Sequence, residues 1–227
     1  MVVMAKPMFI TALAFLLSVA SPLLADGQIK ETQMGIISAV KAADVEQVGR
    51  LVSSGADLET RDGQGRTALL LAARANAVEA AKLLIAAGAD VNAKDPMQDT
   101  PFLYAGAEGR DEILTAILAT GRASLRDTNR YGGTALIPAA HHGHPSTVRI
   151  LLGTDIDVDH VNDLGWTALL EAVILGDGGP VHQEIVGLLV DAGAKNTPDR
   201  DGKTPLDHAR DRGFRAMAQR IEAGPEK

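Results

Sequence analysis

No cysteine occurs among the 227 residues, which excludes disulfides, thiolate metal sites and a cysteine nucleophile. A chain without thiols also suits an oxidising compartment. Aromatic residues are scarce, with one Trp, two Tyr and four Phe. Apolar residues still make up 46% of the chain, so the core must rest on Ala, Leu, Val and Ile. No run of basic residues appears, and the formal net charge is −7. Phosphate backbones and anionic membrane surfaces are repelled by such a surface, and nucleic acid is not an expected partner. Missing too are a G-x-S-x-G elbow, an HExxH helix and a Gly-Lys-Ser/Thr phosphate loop. These absences predict a protein that is not an enzyme and needs no cofactor. Glycine, by contrast, is frequent at 23 residues, which suits short helices packed closely through small side chains. Average hydrophobicity and moderate charge argue against disorder.

The chain opens on a targeting segment. Lys6 is the only charged side chain before Asp26, and an apolar run, MFITALAFLLSVA, spans Met8 to Ala20. A short positive start, an apolar stretch of this length and small residues at the exit describe a secretory signal peptide over residues 1–25. The expected cleavage point follows Ala25, with Ala20 as a second candidate. An uncleaved anchor would need about 20 apolar residues, and Pro22 breaks the run early. Residues 26–32 then read as a short linker. The expected location is periplasmic or secreted, with no membrane contact after cleavage.

A period of 33 residues organises the remainder. Thr67, Thr100, Thr134, Thr167 and Thr204 recur at spacings of 33, 34, 33 and 37. Each begins a similar run: TALLLAA, TPFLYAG, TALIPAA, TALLEAV, TPLDHAR. Gly88, Gly121 and Gly193 close the units, and Asp155 holds that place in the unit that starts at Asn129. Thr before Ala or Pro predicts an N-cap followed by a good first helical residue. The closing glycine predicts a left-handed helix end. Leu83–Leu84, Ile117–Leu118, Leu151–Leu152 and Leu188–Leu189 are expected to supply the apolar face of a second helix, while Ala72–Ala73, Ala139–Ala140 and Ala172 let neighbours approach.

The period, the TPLHxA-like starts and the GADVN ending at 88–92 resemble the ankyrin repeat. The resemblance covers roughly residues 33–224, in units near 33–61, 62–94, 95–128, 129–161, 162–198 and 199–224. Two stretches, NRYGGTALIPAAHHGH (129–144) and LGWTALLEAVILGDGGPVHQEIV (164–186), are similar to exported bacterial ankyrin-repeat proteins. The resemblance implies an all-α solenoid of about six helix–turn–helix repeats with short hairpin tips. The polar first and last units, carrying Lys41, Asp44, Glu46, Gln47 and Arg50, and Arg210 to Arg215, suit end caps.

Members of this family bind proteins through the tips and the inner helices. Carried onto this chain, the tips are Gly63–Gln64, Pro96–Met97, Arg130–Tyr131 and Asp163–Leu164. The implied partner-binding residues are Arg66, Arg74, Met97, Tyr104, Glu108, Arg130, Tyr131, His141, His142 and Trp166. Tyr131 and Trp166 fall in or beside neighbouring tips, and aromatic and Arg side chains are favoured hot spots, so they mark a central patch. The unit at 162–198 also carries five extra residues, giving GDGGPVHQ (176–183). Three glycines and a proline there suggest a loop with unusual backbone freedom, and Asp177, His182 and Gln183 join the candidate list.

Two metal readings fail on pattern. His141 and His142 are consecutive on a helix and diverge by roughly 100°, while His144 matches the histidine that serves the inter-helix turn. DIDVDHVND (155–163) has His160 where a calcium loop needs Gly and Trp166 where it needs Glu. The expected protein is therefore a monomeric, non-catalytic scaffold exported to the periplasm, with a protein partner whose identity the residues do not supply. A protective or chaperone-like accessory to an exported enzyme is the main alternative; a secreted effector or a small-ligand or metal binder comes after it.

Overall fold

The computed structural model describes residues 35–225, so the expected signal peptide and linker lie outside the described residues. A first helix, α1, covers 35–41. It is followed by α2 (Val45–Ser53), α3 (Ala68–Arg74), α4 (Val78–Ala86), α5 (Pro101–Ala107) and α6 (Asp111–Ala119). The second half holds α7 (Leu136–His141), α8 (Pro145–Leu152), α9 (Ala168–Ile174), α10 (Pro180–Asp191), α11 (Pro205–Asp211) and α12 (Arg215–Ala223). Among the described residues no strand forms; an isolated bridge joins Arg61 to Thr67. No described helix is long and apolar enough to cross a membrane.

Helices alternate between two rows. The inner row is α3, α5, α7, α9 and α11, each packed on the next, and the outer row is α2, α4, α6, α8, α10 and α12. A single unit buries only one side of its helix pair, so each needs its neighbours to complete the core. Leu69, Phe102, Leu136 and Leu169 are fully buried on the inner row, and Leu84, Ile117, Leu151 and Leu189 on the outer. The apolar doublets of the outer helices are thus only half core. Consecutive helical residues point about 100° apart, which leaves Leu83 exposed and Leu118, Leu152 and Leu188 partly buried.

Small residues set the spacing of the inner row. Ala72, Ala105, Ala139 and Ala172 are fully buried. At Gly106 even a methyl group is excluded, since an added Cβ would stand 2.8 Å from the Cβ of Ala135.

The threonine caps form in four of five units. Thr67, Thr100, Thr167 and Thr204 each accept the backbone N–H three residues on. Thr134 does not, and its buried hydroxyl has no hydrogen-bond partner. The cause is Pro138, which has no N–H to give the carbonyl of Thr134. The first turn there tightens, with Ile137 N–H donating to that carbonyl at 3.2 Å, and α7 begins one residue late. Gly55, Gly88, Gly121 and Gly193 take the left-handed conformation after their helices. Asp155 does not: in that unit the chain leaves α8 without a left-handed residue.

The inserted segment also differs from expectation. Half of 176–183 is helix, because α10 starts at Pro180 and runs 12 residues where α4 and α6 run nine. The rest is pinned. Asp177 Oδ1 accepts from Gly179 N–H at 2.8 Å, and Gln183 Nε2 donates to the Gly178 carbonyl at 2.8 Å. His182 joins Asp177 Oδ1 and the His141 carbonyl, both at 3.0 Å. Gly178 lies under the ring of Phe214, which an added Cβ would meet at 2.5 Å. The backbone freedom read from three glycines serves close packing.

Candidate binding groove

Each hairpin tip is built by one Asx residue five positions before the threonine. Asp62, Asp95, Asn129, Asn162 and Asp199 each use Oδ1 to accept the backbone N–H groups two and four residues on, at 2.8–3.1 Å. The backbone N–H of each also donates to the carbonyl four residues ahead. A short polar side chain that mimics a backbone turn is the reason these residue types stand there. The third residue after the Asx is left-handed: Gly65, Gly132, Gly165 and Gly202, but Gln98 in the second tip. Neighbouring tips are tied together, with Arg61 Nη1 donating to the Lys94 carbonyl, Asp163 N–H to the Tyr131 carbonyl and Arg200 Nη2 to the Asp163 carbonyl.

Between the tips and the inner helices of the units at 95–128, 129–161 and 162–198 runs a groove of about 450 Å³. Tyr104, Glu108, Arg130, Tyr131, His141 and His142 all line it, so six of the thirteen implied residues come together. Arg130 stacks over the Tyr131 ring at 4.7 Å, and Arg74 over Tyr104 at 4.6 Å. Arg66, Arg74 and Met97 border a second hollow between the first two tips, with Gln64 and Pro96. Arg66 is half-buried there because it clamps Asp62, Nη2 to Oδ2 at 2.7 Å. That contact, with the backbone N–H groups of the tip and Lys41, holds the Asp62 carboxyl well below its ordinary range.

Four candidates fall elsewhere. Trp166 is partly buried and lines neither hollow, whereas Tyr131 lines the groove. Asp177, His182 and Gln183 line neither. Asp177 and Gln183 bond within the inserted segment, and His182 ties it to the His141 carbonyl of the preceding unit.

Three groove residues escape the family pattern. Asn162 is 5% exposed and donates its Nδ2 to Glu171 Oε1 at 2.8 Å. Glu171 is a carboxylate within the apolar run ALLEAVI of α9, with its side chain 9% exposed. Burial raises its pKa, opposed by the Asn162 amide. Asp99 is likewise raised, by burial and then by Asp95. A signal for Asn162 and Glu171 exists in the repeat. The last unit places Asp199 and His208 at the same offsets from its threonine, and they too meet, at 2.7 Å.

The histidines behave as groove walls. His141 and His142 both face the groove, with ring centroids 4.9 Å apart, so the expected divergence does not separate them. His142 donates its Nδ1–H to the Ala107 carbonyl at 2.7 Å. Burial, then His142 and His182, lowers the pKa of His141 and keeps it neutral near neutral pH. The His144 ring covers Gly109, in the inter-helix turn of the preceding unit. Among the described residues no group of three or more His, Asp or Glu side chains is arranged to hold a metal ion.

The geometry is that of a repeat scaffold, and comparison with known proteins agrees. A family model described as ankyrin repeats (3 copies) matches residues 36–128, 118–199 and 139–221. The chain belongs to the ankyrin-repeat family. It is 40% identical to YahD, an ankyrin repeat protein of Escherichia coli (strain K12), over 86% of this chain and 98% of that protein. The crystal structure of an ankyrin repeat domain, ABAYE2397, from Acinetobacter baumannii AYE is 52% identical. It superposes with a TM-score of 0.80 over 83% of this chain and 96% of its own. The ankyrin repeat domain of Bcl-3 superposes at 0.75 with 27% identity, over 85% and 86%. Ankyrin repeats are protein–protein interaction modules, and the ankyrin fold generally serves as a non-enzymatic scaffold.

Proposed function

We propose that this chain is a non-catalytic, monomeric scaffold, exported through residues 1–25, that binds one protein partner along the groove between its tips and inner helices. One observation carries the reading: large apolar side chains stay exposed along this face. Tyr131, Leu164 and Leu175 line the groove at 54%, 51% and 43% exposure, and Met97 borders the second hollow. Apolar side chains rimmed by charged and hydrogen-bonding groups mark a protein-binding surface. The rigid tips pre-organise that surface, so little ordering entropy is lost on binding. Export is supported by the charge-poor, apolar start and the lack of cysteine.

Photo-cross-linking tests the surface. With p-benzoylphenylalanine at position 131, one partner band is expected from cells, and the same label at exposed position 149 on α8 should yield none. Equal capture from both positions refutes the groove. Export predicts a periplasmic protein whose N-terminus is Asp26; full-length chain kept in the membrane fraction refutes it.

A further inference from the structure

The groove is lined by three carboxylates, Asp99, Glu108 and Glu171, against one arginine, Arg130. Arg130 is engaged on the Tyr131 ring, and Arg74, which approaches from the neighbouring hollow, faces Asp99 at 3.7 Å. Among the described residues Glu108 and Glu171 pair with no Lys or Arg, and the basic side chains beside them are His142 and His141. Glu171 takes one neutral amide hydrogen bond on Oε1, and its Oε2 stands 3.7 Å from His141 Nδ1, beyond hydrogen-bond reach. Glu108 Oε1 stands 3.8 Å from His142 Nδ1, whose proton is already given to the Ala107 carbonyl. Two acids of one groove, one of them more than nine-tenths buried, therefore have no permanently charged partner among the described residues. Aromatic rings of the same groove have faces that suit a cation, as the two stacked arginines show. A buried carboxylate left without a counter-charge is costly, and a partner that brings the charge recovers that cost.

We propose that the groove receives a basic side chain: a Lys or Arg on an extended segment of the protein partner, seated beside Tyr104 and Tyr131 with its charge against Glu108 and Glu171. This rests on the groove being the partner-binding surface and adds the chemistry that it selects. A volume of about 450 Å³ accommodates one long side chain with its flanking backbone. The formal net charge of −7 favours the approach of a basic segment.

The test is a two-dimensional NMR titration of the whole ¹⁵N-labelled protein with Ac-Gly-Ser-Arg-Ser-Gly-NH₂. Matched peptides carry Lys, citrulline, norleucine or Glu at the centre. Saturable shifts at Glu108, Tyr131 and Glu171 are expected with Arg or Lys. At least tenfold weaker binding is expected with citrulline or norleucine, and none with Glu. Glu171→Gln keeps the bond to Asn162 and removes the charge, and Glu108→Gln, at a partly buried residue with no hydrogen bond in the core, gives a second variant with little bearing on folding. Each should weaken the Arg peptide about tenfold. Citrulline binding as well as Arg, shifts away from the groove, or no saturation overturns the inference. So does agmatine binding as tightly as the peptide, which would assign the site to a free amine. The cross-link at position 131 reads the groove independently: a specific partner band with a failed titration leaves the docking surface and removes the basic side chain.

Discussion

Replacing Asn162 separates the two tasks that one buried amide performs. In Asn162→Ala three hydrogen bonds disappear: Oδ1 to Leu164 N–H and to Trp166 N–H, and Nδ2 to Glu171. At about 1 kcal/mol each, and more for the bond to a carboxylate, the loss comes to ~3–4 kcal/mol. Asn162→Asp keeps both backbone bonds, as the aspartates of three other tips do, but sets a second carboxylate against Glu171. That group then loses the one donor opposing its upward shift and gains a like charge, so its folded pKa rises further above the unfolded value. Stability from a raised carboxyl pKa is complete below the unfolded pKa and falls as pH climbs through the folded one. Asn162→Asp should therefore lie close to wild type at pH 4 and lose ~2 kcal/mol or more by pH 8. Urea unfolding followed by circular dichroism at 222 nm, at pH 4, 6 and 8, reads both effects. A cost for the alanine variant under 1 kcal/mol, or an aspartate variant indifferent to pH, would refute the account of tip and groove.

Three further substitutions probe the backbone. Ala43 sits between α1 and α2 at φ +54°, where equivalent turns use Gly109, Gly143 and Gly213; Ala43→Gly should stabilise by ~0.5–1 kcal/mol in thermal melts. Gly106→Ala should destabilise by ~1–3 kcal/mol in spite of its better helix propensity, because the Ala135 Cβ cannot retreat without moving α7. Asp62, held low by Arg66, contributes stability that is present above about pH 4 and lost on acidification through its folded pKa. Asp62→Asn should cost ~1 kcal/mol at pH 7, and its gap from wild type should close towards pH 2 in urea titrations.

Much of this architecture is readable in the residues, and the failures have physical causes. The threonine spacing locates every inner helix because cap chemistry is local: one hydroxyl, one N–H, three residues apart. It misses by one residue at Thr134, where Pro138 withdraws a donor from further along the same turn. The leucine doublets mark the outer helices but not their facing, which depends on how each pair of helices packs. Glu171 is visible as a charge in an apolar run, yet its meaning depends on Asn162, nine residues earlier and across the hairpin. The Asx residues recur as regularly as the threonines and could have been found by the same count. Trp166 stands beside a tip in sequence yet lines neither hollow, because position next to a tip does not fix which way a side chain points.

The inserted segment changes what kind of array this is. His182 reaches back to the His141 carbonyl, and Gly178 sits beneath Phe214 of the last unit. The extra residues therefore act as a wedge gripping the units on either side. An array of like repeats can be shortened, lengthened or reordered, since every junction resembles the next. Here the junctions around 162–198 are unique, and that unit can be neither deleted nor exchanged for a copy of another without leaving two mismatched ends. The unit at 162–198 is thus a fitted part, gripped on one side by His141 and on the other by Phe214.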